Sequence, residues 1–194
     1  MSANCSATSV RCVTSWYPVV ISLVMVACAS TPRVVEFRFS QESFLSRDGS
    51  LRFQLPAGWT NATADSPTAD NLIWLVKNDD AASLTVRRVT IDETTRKEIH
   101  AAGLERLGEL LLSLESSERG ASVVKRPTFL PLDGIGACRY EYMTGETGDH
   151  VCVVLADAGS GVYEVSMRTS GQGHETILRE ITSLQEAFVK RMVW

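Results

Sequence analysis

Five cysteines and three histidines are the side chains in this 194-residue sequence best suited to attack an electrophile, hold a metal or move a proton. Cys5, Cys12 and Cys28 crowd the first 28 residues, while Cys138 and Cys152 stand far down the chain. No two share the C-x-x-C spacing of a zinc or redox site. His100, His150 and His174 have neither i,i+4 nor H-x-H spacing, so a metal site would need all its convergence from tertiary structure. They read as surface or capping residues. Ser160, between Gly159 and Gly161, lies between two expected strands and not at the strand-to-helix elbow that presents a nucleophile, so a hairpin turn accounts for it. The run "GIGACR" has two glycines, lacks a third, and enters a strand, unlike a phosphate loop. Arg87-Arg88 and Lys125-Arg126 read as solvated strand faces, and Asp79-Asp80 as a turn. Trp59, Trp74, Tyr140, Tyr142 and Tyr163 read as core aromatics, or as a partner surface if exposed together. These readings supply no catalytic, metal or cofactor residue.

Composition narrows the class further. The chain is 44% hydrophobic and 22% charged, with formal charge −4. Arg11 is the one ionised side chain before Cys28, so a chain starting there carries −5. A nucleic-acid binder normally presents a basic face, and this balance argues against one. Cysteine is too sparse for a disulfide-built scaffold.

The amino-terminal end has its own logic. From Val19 to Ala27 the sequence runs VVISLVMVA without a charge. A membrane-spanning helix needs about 20 apolar residues, and this run is shorter. It fits the apolar region of a secretory signal, with Arg11 as the basic flank; the competing reading is a buried strand that happens to end in cysteine. Met25-Val26-Ala27-Cys28 resembles the lipobox of bacterial lipoprotein precursors. That resemblance implies removal of residues 1–27, acylation of the Cys28 thiol, and a lipid-anchored spacer over 28–39. Each buried CH₂ contributes about 0.8 kcal/mol, so more than one chain anchors stably. Ala29 stands where Asp marks inner-membrane retention in that family, and so leans toward the outer membrane.

Residues 40–194 read as one α+β domain that must position whatever the chain does. Asp48-Gly49 suits a two-residue hairpin turn between Phe44–Arg47 and Ser50–Leu55. The apolar run 71–77 suggests a strand covered on both faces, followed by an alternating strand around Leu84 and Val86. Thr95 and Glu98 could form a capping box for one long helix carrying Ile99, Leu104, Leu107, Leu111 and Leu114, stopped at Gly120. The prolines of "SVVKRPTFLPLDG" make that segment at best an edge strand or an irregular one. Three more strands follow. Glu146-Thr147-Gly148 suits a three-residue hairpin loop, which sets Cys152 opposite Tyr142 and Cys138 opposite Ala156. The sulfurs would then share a face about 13 Å apart, beyond the roughly 7 Å Cα limit of a disulfide. Two buried, unpaired thiols are expected. A last helix carries Ile177, Ile181, Leu184 and Phe188 as one stripe.

Hairpins with two amphipathic helices predict an antiparallel sheet covered by helices. With Leu55, Pro56, Gly58 and Trp59 in "LRFQLPAGW", this order is similar to the PsbP-like group, which includes photosystem II extrinsic protein P and DcrB-type lipoproteins. The resemblance implies an α/β/α sandwich and an accessory or assembly role at a membrane complex. It gives these four residues structural roles and no catalytic residue. The expectation is an envelope lipoprotein that faces the periplasm, held by membrane lipid through Cys28 and acting on a membrane or envelope protein partner. The alternatives are a small hydrolase-like envelope enzyme and a small-ligand binder.

Overall fold

The computed structural model describes residues 36–170 and 175–194. The segment carrying Met25-Val26-Ala27-Cys28, residue His174 and the side chains of His100 and Ile177 lie outside the described residues.

Strands β1 (Phe39–Leu45) and β2 (Arg52–Pro56) pair antiparallel as a separate hairpin. Its turn is wider than the two residues expected. Leu45 pairs with Arg52, and Ser46 N–H bonds the Leu51 carbonyl. The Ser46 and Asp48 side chains brace the tip: Ser46 Oγ donates to Asp48 and accepts from Leu51 N–H. The remaining strands are β3 (Trp59–Asn61), β4 (Asn71–Lys77), β5 (Ala82–Val89), β6 (Ser122–Phe129), β7 (Gly136–Met143), β8 (His150–Asp157) and β9 (Val162–Thr169). They form one antiparallel sheet in the order β3-β4-β5-β9-β8-β7-β6. As Pro127 requires, β6 is an edge strand, with two register shifts beside Lys125.

Helices cover both faces. The expected single helix is two: α1 (Glu93–Ala102) and α2 (Leu104–Arg119), broken at Gly103, whose φ of 84° no helix accommodates. The cap of α1 is Asp92, accepting from Thr95 N–H, not the Thr95–Glu98 box. Asp92 comes first in the chain, and its carboxylate is the stronger acceptor for the free N–H groups of the first turn. Ile99, Leu104, Leu107 and Leu112 pack on Cys138, Tyr140, Val151, Val153 and Leu155. On the opposite face, α3 (Glu175–Arg191) sets Ile181, Leu184 and Phe188 against Ile73, Leu84, Val86 and Val165. The β1–β2 hairpin joins that layer through Phe53, whose ring lies 6.0 Å from Phe188. Each such buried side chain contributes about 1.5–3 kcal/mol. Past α3, Val193 bonds to Arg52 in both directions, tying the carboxyl end to β2.

The α+β class and the two-faced covering agree with expectation, but two strand details do not. The β7–β8 loop bonds Thr144 N–H to the Asp149 carbonyl, leaving four residues at its tip instead of three. Cys152 therefore faces Glu141 and Cys138 faces Leu155. A slip of one residue turns one strand's side chains to the other face, so the thiols lie on opposite sides of the sheet. Both are free and buried. The second detail concerns β4: Ile73 and Leu75 are buried, whereas Trp74 and Val76 are only half-buried. The reason is that α2 packs over β6, β7 and β8, and among the described residues nothing covers most of β4 and β5 on its side.

Candidate functional site

The uncovered half of the sheet is the floor of a groove. Alternation along β5 puts Ser83, Thr85 and Arg87 on this face, opposite Arg168, Ser166 and Glu164 of β9. Trp74 extends the middle row, paired with Thr85. One wall is α2, which presents Leu111, Glu115 and Arg119. The other is the segment around Pro67 and Thr68. Together they line a trough of about 380 Å³, which shares Arg87 and Glu164 with a second hollow of about 520 Å³.

The second wall has a specific fastening. Arg47 donates from Nη1 to the carbonyls of Thr68 and Ala69, both at 3.2 Å, and from Nη2 to that of Thr63. Thr63 Oγ1 in turn accepts from Trp74 N–H at 2.9 Å, tying the wall to the floor strand. The β1–β2 hairpin thus reaches across to hold a loop more than a dozen residues away. Arg47 carries no motif, and only tertiary structure marks it.

Ion pairs set the electrostatics. Glu164 is buried and uses both oxygens, accepting from Arg87 at 2.7 Å and from Ser166 Oγ at 2.5 Å. Burial works against the charge on Arg87, but the Glu164 carboxylate outweighs it and raises the guanidinium pKa. Arg119 pairs with Glu115 at 2.8 Å, and Arg168 approaches Asp149 at 3.9 Å. Arg87 is therefore more than a solvated strand residue: a partner strand supplies its counter-ion, which a reading of β5 alone does not contain. Arg88 behaves differently, reaching across the other face to bond the Tyr163 hydroxyl at 2.8 Å.

A second polar cluster lies at the β6–β7–β8 end of the opposite face. His150 Nε2 is 3.2 Å from Glu141 Oε2, and Lys125 Nζ is 2.7 Å from Glu141 Oε1. His150 and Glu141 are both buried, so His150 is neither a surface nor a capping residue. Pairing across β7 and β8 brings it beside a carboxylate. Burial opposes ionisation of Glu141, yet hydrogen bonds from His150 and Lys125 prevail and bring its pKa to about 2. Lys125 is accordingly a counter-ion, and Arg126 pairs with Glu109 at 3.2 Å.

The two turn readings hold, and four of the five aromatics are core residues as expected. Gly159–Gly161 is the β8–β9 turn, with Ser160 Oγ 3.1 Å from the Tyr163 hydroxyl. Asp79-Asp80 is a turn, in which Asp79 accepts from Ala81 N–H. Trp59, Tyr140, Tyr142 and Tyr163 are buried, while Trp74 belongs to the groove. Among the described residues no group of three His, Cys, Asp or Glu could hold a metal ion, and no helix is long and apolar enough to cross a membrane.

Fold and groove together define an α+β sandwich with one half-open sheet face. No family model and no curated protein sequence matches this chain. Solved structures do. The cyanobacterial PsbP of Synechocystis sp. PCC 6803 is similar over 86% of this chain and 98% of its own, at 15% identity and TM-score 0.48. The Ran-binding protein Mog1p of Saccharomyces cerevisiae is similar over 81% and 96%, at 13% identity and TM-score 0.48. A protein of unknown function from Pseudomonas aeruginosa is similar over 82% and 97%, at 11% identity and TM-score 0.43. At these values the likeness transfers no partner or activity to this chain.

Proposed function

We propose that this protein is a lipid-tethered binding protein of a bacterial envelope, whose groove beside α2 receives part of a partner protein. The observation that carries the binding role is the trough itself: a sheet face left uncovered, walled on both sides, with one wall held by Arg47. Isolated sheet faces of this size are normally covered by a helix, and a segment from a partner would complete the layer. Its open shape suits a length of chain better than an enclosed small molecule.

The tether rests on the resemblance of Met25-Val26-Ala27-Cys28 to a lipobox. Anchoring confines the domain to a surface and raises its effective concentration against membrane partners without any new contact. The test is in cells. A photocrosslinker at Thr85 should capture one defined envelope protein that a crosslinker at exposed Lys190, on α3, does not. The Cys28→Ser variant should stay unprocessed and carry no lipid. Normal processing of Cys28→Ser, or identical products from both crosslinker positions, refutes the proposal.

A further inference from the structure

We infer that the groove docks an extended acidic segment carrying carboxylates four residues apart with an apolar side chain midway, an inference that rests on the groove being the docking site. It begins from an asymmetry common to all three ion pairs there. In each, the acid is sunk and the base faces out: side-chain exposures are 7% for Glu164 against 42% for Arg87, 16% for Glu115 against 67% for Arg119, and 13% for Asp149 against 55% for Arg168. A guanidinium has five N–H donors in a fixed fork, and a single carboxylate contact leaves several of them directed at solvent. Within the 380 Å³ trough the exposed charges are thus the three arginines, although exposed Asp70 and Glu118 line the adjoining hollows and the chain as a whole carries −4. Buried carboxylates act as struts that fix the forks in place, which lowers the ordering cost of binding.

The spacing sets the pattern. Arg87 and Ser83 lie four residues apart on β5, and Ser83 is opposite Arg168. By strand rise, the Arg87 and Arg168 rows are therefore about 13 Å apart. The row between them is Trp74, Thr85 and Ser166. An extended segment repeats its side chains on one face every second residue. Residues i and i+4 then reach the two arginine rows, and residue i+2 meets the half-buried Trp74 ring. A carboxylate suits the guanidinium fork bidentately. An anionic membrane surface also offers negative charge, but it is flat, whereas these cations lie in a trough between two walls.

The test uses the full chain in detergent and a labelled peptide of the pattern Glu-Thr-Leu-Thr-Glu, with anisotropy as readout. The expected result is binding that weakens with salt, moves the Trp74 indole resonance, and falls at least ~tenfold in the Arg119→Gln, Arg168→Gln double variant. Lys190→Gln, on the far face, should bind unchanged. Equal binding of a Lys-Thr-Leu-Thr-Lys peptide or of the rearranged Glu-Glu-Leu-Thr-Thr overturns the inference, as does no binding at millimolar peptide. So does preference for phosphatidylglycerol vesicles over the peptide. If the Thr85 crosslink survives in the double variant while the acidic peptide does not bind, the partner class is wrong and the groove still stands as a docking site.

Discussion

Glu141 is a buried carboxylate kept charged by two neighbours, and its pKa near 2 ties it to pH-dependent stability. A depressed folded-state pKa stabilises above the unfolded value and loses that contribution as pH falls. The contribution should be complete at neutral pH, reach up to about 3 kcal/mol, and vanish between about pH 5 and pH 2. Glu141→Gln should therefore lower the denaturation midpoint at pH 7, while the two proteins converge at low pH. A constant gap across that range would contradict this account. Gly145 makes a different kind of demand. A Cβ there would meet the backbone oxygens of Gly120 and Arg119 at 2.7 and 2.8 Å, where the β7–β8 loop packs against the end of α2. Gly145→Ala should cost about 1–3 kcal/mol in thermal unfolding. Cys138 and Cys152, both pushed up to about 12 by burial, should resist a thiol reagent in the native protein and react only once unfolded. Mass spectrometry of the two peptides would check this.

Among the elements, the Pro67–Thr68 wall depends on a single distant side chain. Arg47→Ala removes the bonds to the Thr63, Thr68 and Ala69 carbonyls. Amide exchange over residues 63–70 should rise at least ~tenfold while β8 and β9 keep their protection. Equal loosening throughout would mean that Arg47 supports the whole domain and not the wall. The break at Gly103 also shapes the site, since α2 can take its own direction over β6–β8 only because α1 ends there. At the other end of the sheet, β6 exposes Val123, Val124 and Phe129, yet its two register shifts, Pro127 and paired Lys125 and Arg126 spoil it as a template for another strand. The uncovered face, not the exposed edge, is the more suitable place for a partner.

The whole molecule is an unevenly covered sheet. On one face, α3 and the β1–β2 hairpin enclose a core from Ile73 to Val165; on the other, α2 covers the β6–β8 half, with Val162 and Val89 at the margin of that cluster. Phe188 sits where α3, the hairpin and the sheet meet, fully buried. Phe188→Ala should cost about 3–5 kcal/mol and lower the midpoint of thermal unfolding. A groove formed this way is rigid at its floor, because β5 and β9 lie at the centre of the sheet with neighbours on both sides.

Local chemistry was legible in the sequence wherever a signal depends on near neighbours. Alternation marked β5; proline marked β6 as an edge or irregular strand; glycine marked the β8–β9 turn; and the apolar stripe marked α3. What depends on distant partners was not legible. The one-residue register of β7 on β8, the burial of His150 beside Glu141, the pairing of Arg87 with Glu164, and Arg47 as the clasp of a wall were decided by tertiary structure. So was the groove itself, because hydrophobic periodicity says that a helix has a face to bury but not which half of a sheet it will cover.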